Sequence, residues 1–199
     1  MIINVTLPRY DILEVECKLD NIILKDKLTG ETKEIDVQSV YGIFAAPPCT
    51  EFSVLNCIAA PRERDEKAGL KIVDACMRII AACSPRFWAL ENPRGYLRHY
   101  LGQPSITFQP WQYGDPWTKA TDIWGWFNIP TPLYTKWEDV PNKLPLYTRK
   151  GRDKPNFAYL HKSAWDSIPQ LHFHKPETDA EFRAMTPPAF AKEFFKYNK

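Results

Sequence analysis

The chain has 199 residues, of which 44% are hydrophobic, and a net charge of only +2. That is enough apolar material for a substantial core, and the lack of an apolar run of membrane-spanning length or a secretory signal predicts a soluble, cytoplasmic protein with no membrane partner. Five cysteines at no metal-ligand spacing, Cys17, Cys49, Cys57, Cys76 and Cys83, read as reduced thiols.

In the first forty residues the only glycine is Gly30, in Leu28-Thr29-Gly30-Glu31, which reads as a hairpin turn between alternating strands. Two arrangements stay open for this segment. It is either a sheet half that has lost its first strand and helix, or an antiparallel meander of residues 2–7, 12–17, 22–25 and 32–37, which the hairpin favours. Either way a missing first strand leaves apolar surface to cover, so a homodimer or a separate cofactor-binding subunit is an expected partner.

The apolar run Tyr41-Gly42-Ile43-Phe44-Ala45-Ala46 ends abruptly at Pro47-Pro48 and predicts a buried strand presenting Cys49 at its carboxyl end. Over residues 66–82, Leu70, Val73, Cys76 or Met77 and Ile80 recur at helical spacing, with Lys67, Lys71, Asp74 and Arg78 outside the stripe. This helix would be the crossover to a second strand, Phe87-Trp88-Ala89-Leu90, which ends in Glu91-Asn92-Pro93-Arg94-Gly95. The two strands should then be parallel neighbours delivering a thiol and a carboxyl to one rim, where ligand crevices of α/β sheets lie.

Between residues 103 and 174 prolines and tryptophans crowd without periodicity, which predicts long loops on the sheet rim. The densest basic stretch is here: Lys143, Arg149, Lys150, Arg152, Lys154 and Lys162, interleaved with Tyr147, Phe157 and Tyr159. It is either a DNA-binding surface or a solvated loop. His172-Phe173-His174 puts two imidazoles on one strand face with no evident third metal ligand. A last helix over residues 179–197 should be split by Pro187 and Pro188.

A thiolate is a strong nucleophile, and a nearby carboxyl can protonate what it attacks. Four segments, in order, resemble those of the DNA cytosine-5 methyltransferases, most closely a compact phage-type branch: Pro48-Cys49-Thr50-Glu51-Phe52-Ser53, Glu91-Asn92-Pro93, Tyr113-Gly114-Asp115-Pro116-Trp117-Thr118-Lys119-Ala120-Thr121, and Thr186-Pro187-Pro188-Ala189-Phe190-Ala191. The resemblance runs from about Tyr41 to the end. It implies a Rossmann-like class I methyltransferase α/β sheet with helices on both faces, altered at the amino end and lacking a large target-recognition domain. It places the whole chain in one domain: a divergent segment 1–40, catalytic strands and crossover 41–100, loops 103–174 and a final helix 179–197.

The resemblance also implies roles. Cys49 would add to carbon 6 of cytosine, Glu91 would protonate ring nitrogen 3, and Asn92 would either orient Glu91 or hold the turn. Lys119 and Thr121 stand where the family has arginines, and Trp117 where it has glutamine; a lysine lacks the planar fork of guanidinium. The implied cofactor is S-adenosylmethionine, with Pro47, Pro48, Thr186 and Pro187 near it. The family's glycine-rich cofactor turn is missing, and Tyr10-Asp11-Ile12-Leu13-Glu14-Val15-Glu16-Cys17 resembles the second strand that ends in acids, so Glu16 and Asp20 are the expected ribose and adenine contacts. DNA is the implied partner, contacted through Ser53, Arg94, Thr121, Arg149, Lys150 and Arg152, with Ser53 alternatively capping the following helix. The target base would be flipped or single-stranded. The branch further implies a phage or prophage protein working in a bacterial host. Three functions stay open: methyl transfer, the same base activation with another one-carbon donor, and a silent DNA-binding relative.

Overall fold

The computed structural model describes residues 11–54, 63–141, 143, 146–160, 168 and 182–199, with backbone alone at 2–4 and 179–181. In chain order the strands are β1 (Ile2–Asn4), β2 (Glu16–Cys17), β3 (Asn21–Lys25), β4 (Thr32–Asp36), β5 (Gly42–Ala45), β6 (Phe87–Pro93), β7 (Ile106–Phe108) and β8 (Thr121–Trp126). The helices are α1 (Glu66–Cys83), α2 (Arg98–Leu101), α3 (Asp179–Ala184) and α4 (Pro188–Tyr197). The chain divides into two compact units, residues 1–105 with 122–127, and 106–121 with 128–199. It is a mixed α/β protein, and among the described residues no helix is long and apolar enough to cross a membrane.

In the first unit the main sheet runs β1, β5, β6, β8. β1 lies parallel to β5, with Ile2 opposite Gly42 and Asn4 opposite Phe44. β5 lies parallel to β6, with Gly42 opposite Phe87 and Ala45 opposite Leu90. The crossover between them is α1, which begins where the periodicity predicts: Asp65 accepts the N–H of Ala68 at 2.9 Å as its N-cap, and Ser84 ends it in the left-handed conformation. Its buried stripe is Val73, Cys76, Ile79, Ile80 and Cys83.

The amino-terminal segment departs from both expected arrangements. A first strand is present, so the expectation of an uncovered edge beside β5, and of a subunit to cover it, loses its basis. The antiparallel sheet is limited to β2, β3 and β4. Residues 12–14 form a 3-10 turn rather than strand, because the Asp11 carboxylate accepts the N–H of Leu13 at 3.0 Å and turns the chain. The hairpin is as read: buried Asp26 takes the N–H groups of Leu28 and Thr29 at 2.8 and 3.1 Å, and Gly30 supplies the positive φ of 73°. The inner face of this small sheet, Ile22, Leu24, Ile35 and the adjoining Val37, joins the α1 stripe in one hydrophobic core.

Residues 103–174 are less loop-like than their composition suggests, since residues 121–126 form β8. Its first four residues, Thr121 to Trp124, are all buried, so no alternation marked it as a strand. In the second unit Phe190 of α4 stacks on Phe108 with ring centroids 3.7 Å apart, and Trp117, Phe157, Leu160, Ile168 and Phe182 form a further core. The split of the last helix falls at the prolines, with Pro188 opening α4.

Candidate active site

Parallel pairing of β5 and β6 brings their carboxyl ends to one rim, and the register sets Glu91 one residue past the pair Ala45–Leu90. Beyond β5 the chain turns through Pro47 and Pro48, then through Cys49 to Ser53, where the Cys49 carbonyl accepts the N–H groups of Phe52 and Ser53 at 3.0 and 2.8 Å. This turn is tied to the Glu91 segment on both sides of the thiol. Upstream, Asn92 Nδ2 donates to the Pro47 carbonyl at 3.0 Å. Downstream, the Tyr96 N–H donates to the Phe52 carbonyl at 2.8 Å, and Ser53 bridges antiparallel to Gly95.

Exposure within the rim is graded. Cys49 is half-buried, whereas Glu91 is 3% exposed and Asn92 not at all. Asn92 Oδ1 is buried with no hydrogen-bond partner among the described residues, an acceptor that a bound molecule's N–H could satisfy. The other thiols sit elsewhere: burial pushes Cys76 and Cys83 up to about 11, which keeps both protonated and unreactive. Cys57 falls outside the described residues.

The remaining expected residues divide by what holds them. Arg94 is exposed beside Pro93, and Ser53 is buried; the helix Ser53 was expected to cap falls on residues outside the described set. Thr121 is corrected as a DNA contact, because it is fully buried and its hydroxyl donates to the Lys119 carbonyl at 2.8 Å. Lys119 donates its ammonium protons to the carbonyls of Arg183 and Met185, 3.0 Å each, at the end of α3. That is a favourable place for a cation, since a helix end leaves carbonyls unpaired. Trp117, at the family's glutamine position, is buried in the core of the second unit.

Within the basic stretch, Arg149 lies over the Tyr159 ring at 5.0 Å and donates to its hydroxyl at 3.0 Å. Lys150 and Arg152 are exposed on a turn, and Lys154 stands 4.6 Å from the Trp111 ring centroid and 6.0 Å from that of Trp137. Lys162, His172 and His174 lie outside the described residues, and among the described residues no metal-binding group occurs.

The two acids expected to contact the cofactor belong to the small antiparallel sheet and its turn. Glu16 belongs to β2, in the small antiparallel sheet rather than the main one, and lies 3.7 Å from Lys18. The preceding residue is anchored to α1, where Arg78 Nη1 donates to the Val15 carbonyl at 2.8 Å. Asp20 is exposed in the turn before β3. Pro47 is buried and Pro48 exposed at the rim; in the second unit Thr186 is half-buried and Pro187 precedes α4.

Two residues that sequence reasoning passed over belong to the first unit's frame. Asp122 on β8 is fully buried and accepts both Arg98 Nε and Arg98 Nη2 at 2.6 Å. Gly95 abuts the Phe52 carbonyl so closely that a Cβ there would come within 2.2 Å of it. The glycine was a visible turn signal, but its contact partner was not. No protein-family model matches the chain, and no curated protein matches it.

Proposed function

We propose that the chain activates cytosine in DNA for transfer of a methyl group to carbon 5, with Cys49 as nucleophile and Glu91 as proton donor. The observation that supports this most is the two-sided attachment of the Cys49 turn to the Glu91 segment, which holds thiol and carboxyl at one rim. A Rossmann-like methyltransferase architecture is part of the same reading, supported by the parallel order β1, β5, β6 with Cys49 beyond β5 and Glu91 near the carboxyl end of β6.

The Cys49 thiolate attacks carbon 6 of a flipped or single-stranded cytosine, and the electron pair of the 5,6 double bond moves into the ring. Glu91 gives its proton to ring nitrogen 3 and so removes the charge that would otherwise build there. Carbon 5, now enamine-like, takes up the methyl group; loss of its proton to a base then restores the double bond and expels the thiolate, and nitrogen 3 returns its proton to Glu91. S-adenosylmethionine is the methyl donor this reading implies, supplying an electrophilic methyl group. Arg94, Lys150 and Arg152 are the proposed phosphate contacts, on the strength of exposure and charge.

A second reading keeps the Cys49 and Glu91 chemistry with a different one-carbon donor, and the placement of Glu16 in the small antiparallel sheet favours it. One experiment tests the shared step. DNA containing 5-fluorocytosine, whose carbon 5 cannot lose a proton, should form a denaturation-stable complex with the protein when S-adenosylmethionine is supplied. Cys49→Ser should abolish it and Glu91→Gln should slow it by roughly 10²–10⁴-fold. An equal yield of complex from Cys49→Ser would show that Cys49 is not the nucleophile.

A further inference from the structure

The Cys49 turn is fixed by contacts that the chemistry itself does not require. Phe52, fully buried three residues after the thiol, reaches Gly69 on the flank of α1, where a Cβ would lie 2.9 Å from its ring, and meets the Tyr100 ring edge-on at 6.2 Å. Tyr100 donates its hydroxyl to Glu66, and Glu51 accepts the N–H of Asp65 at 2.9 Å, so both sides of Phe52 are anchored to the start of α1. The Phe52 carbonyl in turn points at the chain just past Glu91.

From this arrangement, and resting on the proposed role of Cys49 and Glu91, we infer that Gly95 is a positioning residue: its missing side chain lets the segment bearing Glu91 close on the Phe52 carbonyl and so sets the thiol's place relative to the carboxyl. The closure has two points, Asn92 Nδ2 on Pro47 and the Tyr96 N–H on Phe52, which bracket Cys49 from both sides. Only the second depends on glycine. Any larger residue at position 95 forces the Phe52 carbonyl away, because the object in the way is backbone held by a buried ring and not a flexible side-chain tip.

Gly95→Ala should therefore open the downstream point while the upstream one holds. In hydrogen exchange, the amides of Phe52, Ser53 and Tyr96 should lose protection while those in the middle of α1 keep theirs. With 5-fluorocytosine DNA and S-adenosylmethionine, covalent complex formation should slow by roughly 10²-fold, the scale of a misplacement of about 1 Å. Alkylation of Cys49 by iodoacetamide, read on its own peptide, should stay within about twofold, because the thiol is moved relative to Glu91 and not removed. Tyr100→Leu loosens Phe52 without touching the Gly95 backbone and serves where Gly95→Ala does not fold; it should give the same exchange pattern with a smaller slowing. Unchanged protection in both variants, or an unchanged rate of complex formation with protection lost, overturns the inference. Failure of the native chain itself to form the complex defeats the methyl-transfer reading, and the exchange pattern then decides the closure by itself.

Discussion

Two polar regions of this molecule hold their functional-looking residues by opposite means. At the rim of the first unit, the segments bearing Cys49 and Glu91 are placed by main chain and neighbours: the Cys49 carbonyl closes its own turn, and Tyr96 and Asn92 tie the two segments together. In the second unit the cations are themselves the ties, with Lys119 on the carbonyls of Arg183 and Met185, Arg149 on Tyr159, and Lys154 beside Trp111 and Trp137. At the rim these ties run through main chain and the Asn92 amide, whereas in the second unit they run through the cations' own side chains. A side chain that fastens the fold is already committed, whatever its resemblance to a functional motif.

The sharpest way to break this contrast is to remove a fastener from the first unit and ask whether the rim survives. Asp122→Ala deletes the partner of Arg98, whose own side chain keeps 22% exposure, and loss of hydrogen bonds to a charged group costs about 1.5–3 kcal/mol. Its effect should appear as a lower thermal midpoint, with reactivity at Cys49 retained while the protein is folded. Loss of that reactivity below the melting range would mean that the rim depends on Arg98 and Asp122 as well as on its main-chain ties.

A second test lies in the other unit. Asp115 is fully buried, accepts the N–H of Ala189 at 3.1 Å at the start of α4, and is pushed by burial up to about 7 from 3.8. The folded state thus holds a proton that the unfolded chain releases, so stability from this group is highest below about pH 4 and falls as pH rises toward 7. Over about pH 5 to 7 the change is at most about 2–3 kcal/mol. Asp115→Asn should flatten that part of the stability profile, measured as the difference from the native chain in urea titrations at the two ends. An unchanged slope would mean that Asp115 is ionised in both states.

The smallest effect is expected from Lys119→Met, which frees two carbonyls at the end of α3 and should cost about 1 kcal/mol. Covalent complex formation at Cys49 should be unaffected if Lys119 is a fastener. A large loss with no change in stability would restore it to the chemistry.

Periodicity and punctuation made much of the first unit legible. The stripe over residues 70–80 marked α1 because a helix must bury one face, Pro47-Pro48 marked the end of β5, and Gly30 marked the hairpin, whereas β6 runs on to Pro93 through Glu91 and Asn92, which read as a turn. β1 was harder to place, since a short apolar run looks the same in a parallel sheet as in a meander and only its pairing with β5 decides. β8 was hidden because burial on both faces removes alternation. Asp122 could not be read as a partner of Arg98, since nothing in the local sequence connects residues 24 positions apart.

By itself, then, the sequence determined which residues have reactive chemistry and which short segments turn, cap or alternate, for those depend on neighbours a few positions away. Tertiary structure alone decided that Glu16 joins the small antiparallel sheet, that Thr121 and Lys119 are occupied, and that Gly95 must have no side chain. Those outcomes depend on which distant backbone groups come within hydrogen-bonding or van der Waals distance, and burial makes each such contact too costly to leave unmade.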